Sequence, residues 1–171
     1  MEIKYTLLED DFIKFNLYHL RNSKLYKKQI FIMKYIVNTI LAFMIFTIGT
    51  FIFEQSMLIW FFIAISFLIV QIKTTEKQND KIVIRRIKKQ LKDVEIQCIL
   101  GEKILKVDAD KIHIKSELSE ETKDIKAIIE VKKYDDLILL YDSSITAEII
   151  PTRYLIENEI DTLISILTNT K

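Results

Sequence analysis

The chain has 171 residues, half of them hydrophobic and 29% charged, with a formal net charge of +1. Two glycines leave no Gly-rich phosphate loop, and the single cysteine, Cys98, excludes an intramolecular disulfide and suits a reducing compartment. There is no internal repeat and no low-complexity linker.

Residues Glu2–Leu7 alternate Ile3, Tyr5 and Leu7 with polar residues, the period of a half-buried strand. Thr6 followed by Glu9 resembles a capping box, and Asp10 and Asp11 suit the positive end of a helix dipole. The spacing predicts a helix from about Leu8 to Arg21, with Phe12, Phe15, Tyr18 and His19 along one side. His19 has no neighbouring Cys or His to complete a metal site and reads as an interfacial or packing residue. Glu2, Glu9, Asp10 and Asp11 precede any apolar run, so this is not a signal peptide.

Between Lys34 and Lys73 the only charged residue is Glu54. One bilayer crossing takes about 20 helical residues, so the stretch is long enough for two. It reads as a transmembrane hairpin, Tyr35–Phe53 and Met57–Ile72, turning at Glu54-Gln55-Ser56. A single crossing would bury the Glu54 carboxylate in lipid at a cost of about 3 kcal/mol or more. A soluble helix would show a polar face, and neither segment has one. Five Lys or Arg lie between Arg21 and Lys34, eight between Lys73 and Lys92, and none in the turn. Basic flanks stay cytoplasmic, which predicts a multi-pass protein of the cell membrane with both termini in the cytoplasm.

Asn79–Lys92 has helical spacing, with Val83, Ile84, Ile87 and Leu91 opposite Arg85, Arg86, Lys88, Lys89 and Lys92. Such a helix would lie in the membrane interface, cap the following domain, or continue the second membrane helix. Arg85, Arg86, Lys88 and Lys89 are the candidate anionic-lipid contacts. Interdomain flexibility is expected near Thr74–Asp80.

From Val94 the period changes to two. Strands are expected over Val94–Leu100, Lys103–Val107, Lys111–Ser116, Lys126–Lys133, Leu137–Tyr141 and Ile145–Ile150. Gly101-Glu102, Asp108–Asp110 and Asp142–Ser144 read as turns, and Ser119–Lys123 as a loop. Pro151 stops the last strand, and Tyr154–Thr168 is a helix with Leu155, Ile156, Ile160, Leu163, Ile164 and Leu167 on its apolar face. The fold class is α+β: a membrane hairpin plus an antiparallel meander forming a curved, half-open sheet or barrel, with the last helix over its open end. The expected segments are a strand and helix over 1–34, the hairpin over 35–72, a basic connector over 73–92 and the cytoplasmic domain over 93–171.

Charge divides accordingly. Seven basic residues face four acidic ones over 1–34, eight face two over 73–92, and ten face seventeen over 93–171. The acidity of the distal domain argues against a nucleic-acid partner. His113 lies mid-strand on the polar phase, Cys98 on the apolar phase, and the acidic turns at Asp108, Asp110, Asp135, Asp136 and Asp142 suit solvation. No catalytic set, metal site or cofactor site is expected.

The run from Ile125 to Arg153 resembles the YcxB-like family of bacterial membrane proteins. Ile125, Ile128, Glu130, Tyr141, Ile150, Pro151 and Arg153 stand where that family has its "I..I.E" strand, its aromatic strand and its Ile-Pro-basic ending. The order of strand, helix, hairpin, connector, meander and helix is similar over essentially the whole chain. Lys123-Asp124 occupies the place where the family often has a Trp. The resemblance implies a domain of the pleckstrin-homology (PH) type and says little about activity. The expected function is a membrane-anchored, non-enzymatic binding or scaffolding module, recruiting a cytoplasmic protein or sensing lipid. The alternative is an immunity-type protein protecting against a membrane-active toxin. A transporter is disfavoured, because neither segment carries a buried ionisable residue for cargo.

Overall fold

The computed structural model describes residues 1–54, 56–92, 99–108 and 110–169. It is a mixed helical and antiparallel β-structure made of two compact units, one of Met1–His19 with Ile87–Lys171 and one of Leu20–Arg86. The expected strand over Val94–Leu100 lies largely outside the described residues, as does Cys98.

The first unit is built on two sheets. Strands β1 (Glu2–Leu7), β2 (Gly101–Val107), β3 (Lys111–Ser116) and β4 (Glu120–Asp124) form one, in sequence order. Strands β5 (Glu130–Lys133), β6 (Leu137–Tyr141) and β7 (Ala147–Pro151) form the other. Alternation explains β1: Ile3, Tyr5 and Leu7 are buried while Glu2 and Lys4 face solvent. β1 pairs with β2 from Glu2↔Lys106 to Leu7↔Gly101, and the Glu2 carboxylate sits 3.3 Å from Lys106 across the ladder.

Four strand boundaries differ from expectation, each for a local reason. Gly101-Glu102 belongs to β2 rather than to a turn, because Leu7 and Thr6 of β1 pair opposite it. Gly101 takes a φ of +109°, which a glycine adopts without strain. The polar run expected as a loop is β4, an edge strand whose charged side chains blunt its open edge. Lys126–Lys133 is not continuous: Ile125–Ala127 is a 3-10 turn that brings Ile125 and Ile128 to the same side, both buried. Residues Asp142–Thr146 close a turn in which the Thr146 carbonyl accepts from the Asp142 and Ser143 amides, so β7 starts at Ala147 and Ile145 is exposed. Pro151 ends β7, opposite Leu137.

β6 is the central strand of its sheet, and all five of its residues are buried. Helix α1 (Glu9–Asn22) adds Phe15 to the same core, with Phe12 and Tyr18 packed against it. The cap of α1 differs from the expected Thr6–Glu9 box. The Asp11 carboxylate accepts the Leu8 N–H at 2.9 Å, half of a capping box set two residues later. His19 packs as expected, its ring centroid 6.0 Å from that of Tyr141 and 6.1 Å from that of Phe15. The last helix, α5 in chain order here, spans Glu157–Asn169 and seats Ile160, Leu163 and Leu167 in the core. It starts later than expected because Thr152–Tyr154 is a 3-10 turn and the Ile156 N–H is capped by Glu159. That cap leaves Ile156 exposed instead of on the buried face.

The second unit contains the two apolar segments. Helix α2 (Lys24–Phe31), a π-helical stretch (Ile32–Val37) and helix α3 (Asn38–Phe51) follow without a break, and helix α4 runs from Met57 to Gln90. Among the described residues, two helices are long and apolar enough to cross a membrane, Lys24–Phe51 of 28 residues and Met57–Gln90 of 34. They turn at Glu54, whose φ is +48°. Next to the turn, Gly49 lies against the Trp60 indole so closely that a Cβ there would sit 1.9 Å from the ring. Thr74–Asp80, expected to be flexible, is helical within α4.

Candidate functional site

Among the described residues of the second unit, polar side chains from the start of the first long helix meet others on α4. Lys34 and Glu76 flank the apolar stretches and are equidistant in sequence from Gln55, so an antiparallel pair of helices brings them opposite each other. Lys34 Nζ donates to Glu76 Oε1 at 2.7 Å. One turn further in, Asn38 donates to Thr75 Oγ1 at 3.0 Å, with both residues buried. Thr75 in turn donates to the Gln71 carbonyl. Towards the other end, Arg21 Nη2 meets Asp80 Oδ2 at 2.6 Å and the Tyr26 hydroxyl donates to Asp80 Oδ1 at 3.3 Å.

These contacts frame a half-open cleft of about 520 Å³. Arg21, Lys27 and Lys34 supply its cations, Glu76 and Asp80 its carboxylates, and Phe31 and Tyr35 an aromatic wall with centroids 5.0 Å apart. The π-helical stretch forms one side: the Asn38 N–H reaches back to the Met33 carbonyl, five residues away. Such stretches insert an extra residue and redirect side chains, and they recur at functional sites. The Lys27 side chain is exposed and its ammonium makes no ion pair or hydrogen bond among the described residues.

The expected lipid contacts lie elsewhere. Arg85, Arg86, Lys88 and Lys89 are exposed on the last turns of α4 and do not line this cleft. Lys88 stands 3.9 Å from Glu9. The apolar stripe opposite them is real, but Ile87 and Leu91 are each only 5% exposed. These two positions pack inside the protein while Val83 and Ile84 are half-buried, and α4 continues through the connector instead of presenting a separate amphipathic helix.

Polar networks among the described residues fasten the elements of the first unit. Asp11, 2% exposed, receives both Arg153 guanidinium nitrogens at 2.6 and 2.7 Å, and Arg153 also donates to the Thr6 carbonyl. Arg153 is the basic residue after Ile-Pro, and its partner on α1 was not legible as such. Tyr5 donates to Glu148 at 2.7 Å, and Lys103 reaches the same carboxylate at 2.8 Å. Burial and the neighbouring Glu148 carboxylate push the Tyr5 hydroxyl far above its usual value, so it remains a donor. Asp136 accepts from Lys14 at 2.6 Å and from Tyr18 at 2.8 Å, while the Tyr18 ring stacks on Tyr134 at 4.1 Å.

The remaining acidic turns bind within the fold. Asp142 pairs with Lys123 and accepts from Thr146. His113, on the polar face of β3, contacts Thr122 at 2.8 Å and Asp108 at 3.3 Å. Among the described residues no three His, Cys, Asp or Glu side chains are grouped to hold a metal ion. No family model, curated protein or solved structure matches the chain.

Proposed function

We propose that this chain is a membrane-anchored, non-enzymatic binding or scaffolding module. Its hairpin crosses the cell membrane twice and keeps the two-sheet unit at the cytoplasmic face. The observation that carries the reading is the surface of the two long helices. Only 11% and 6% of the residues in their apolar windows are buried within the protein, so bilayer contact would cover side chains such as Phe43, Ile40, Phe62 and Val70 that are otherwise in water. Basic residues confined to the ends away from the turn support an inside position for both termini.

The division into four and three antiparallel strands, closed by a C-terminal helix over one core, supports the PH-like reading and the resemblance to the YcxB-like family. Fold analogy alone does not name the partner. The test is topology followed by capture. A reporter fused after Lys171 is expected to read as cytoplasmic, and a tag at residue 55 to react from outside intact cells. Photocrosslinkers at the exposed Leu118 and Ile145 are expected to yield a discrete protein adduct in cells. An external C-terminus rejects the topology. Failure to capture a protein from any exposed position of the two-sheet unit rejects protein recruitment.

A further inference from the structure

We propose that the cleft between α2, the π-helical stretch and α4 binds the phosphate-bearing headgroup of an anionic membrane lipid. The inference rests on the membrane placement proposed above, and it assigns a site distinct from the exposed cations at the end of α4. Three observations carry it.

The first is depth. Lys34 immediately precedes the first apolar run, and Glu76 closely follows the second. Their 2.7 Å contact puts the floor of the cleft at the level where a crossing helix meets the headgroups. The second is the lining. Phe31 and Tyr35 present aromatic surface next to the cationic groups, the combination needed by an anion that carries an acyl chain.

The third is charge. Asp80 is held by Arg21 and Tyr26, and Glu76 by Lys34, so both carboxylates of the cleft are already engaged. The Lys27 ammonium has no partner among the described residues. Lys34 keeps donor capacity beyond its bond to Glu76, since an ammonium has three N–H donors. Three cations against two carboxylates leave the cleft one charge short of neutrality. A lipid phosphodiester supplies that charge.

The experiment uses the full chain in nanodiscs, with bound lipid read by native mass spectrometry after release into detergent. Phosphatidylglycerol is expected to be retained in preference to phosphatidylcholine. Lys27→Gln is expected to lower that retention about fivefold, the equivalent of about 1 kcal/mol for one cation near the surface. Lys27→Arg is expected to preserve it, and Lys126→Gln, on the 3-10 turn before β5, to leave it unchanged. Millimolar inorganic phosphate is expected not to displace the lipid. Equal retention of both lipids, or no effect of Lys27→Gln, overturns the proposal while the membrane reading stands. Displacement by free phosphate replaces the lipid with a soluble anion. A chain that fails to enter the nanodisc overturns the membrane reading itself.

Discussion

Arg153 shows how a single residue ties distant parts of the chain. Its guanidinium forms two parallel bonds to Asp11, 142 positions earlier, and a third to the Thr6 carbonyl. Planar, two-point recognition of a carboxylate is specific to Arg. Removing it strands a carboxylate that is only 2% exposed, with the Leu8 N–H as its remaining described donor. Arg153→Met is therefore expected to destabilise the two-sheet unit by about 3 kcal/mol. Arg153→Lys keeps the charge, loses the fork, and is expected to fall in between. Chemical denaturation of the full chain in detergent, followed by Trp-independent circular dichroism, checks the order. Equal stability of all three proteins would show that Asp11 finds other partners.

At the scale of elements, the end of the hairpin near the turn is set by a close approach. Gly49 on α3 leaves room for the Trp60 ring of α4, and Phe53 stacks on that ring at 5.9 Å. A methyl group at Gly49 would overlap the indole at 1.9 Å, with ring atoms that cannot move aside by a small rotation alone. Gly49→Ala is expected to loosen the end of the hairpin near the turn, and Trp60→Ala in the same chain to relieve it. Disulfide trapping between cysteines placed on α3 and α4 reads the effect. The single change should slow crosslinking and the double change should restore it. Unaltered crosslinking in Gly49→Ala near the turn would mean that the Gly49–Trp60 approach does not set the spacing there.

For the molecule as a whole, the paired carboxyl of Asp136 in the two-sheet unit links stability to pH. Burial by itself raises the Asp136 carboxyl, but hydrogen bonds from Lys14 and Tyr18 outweigh it and hold the group below the usual carboxylate range. Lys14 is correspondingly raised, chiefly by its hydrogen bond to Asp136. A lowered native value means that the stabilisation is complete above the unfolded value of about 3.9 and is lost as pH falls through the lower native one. Asp136→Asn is thus expected to lower the melting temperature at pH 7 and to flatten its decline below about pH 4. Parallel melting curves for the two proteins across that window would contradict this role.

The sequence by itself determined what periodicity and charge can write. Ile3, Tyr5 and Leu7 alternate, and Ile160, Leu163 and Leu167 recur at helical spacing, because burial selects apolar residues at the repeat of each element. The long runs on either side of Glu54 and the basic flanks were equally legible, since they are continuous along the chain. The tertiary structure decided what depends on partners far away in sequence. Backbone pairing with β1 turned Gly101-Glu102 into strand, and pairing with β3 did the same for the charged run of β4, where side chains carry no alternating signal. It joined the first strand to a sheet whose other strands follow the hairpin. It buried Ile87 and Leu91 against protein, where periodicity could not tell lipid from core. It also brought Arg21, Tyr26 and Lys34 to Asp80 and Glu76, because a cleft arises only when two helices are set side by side.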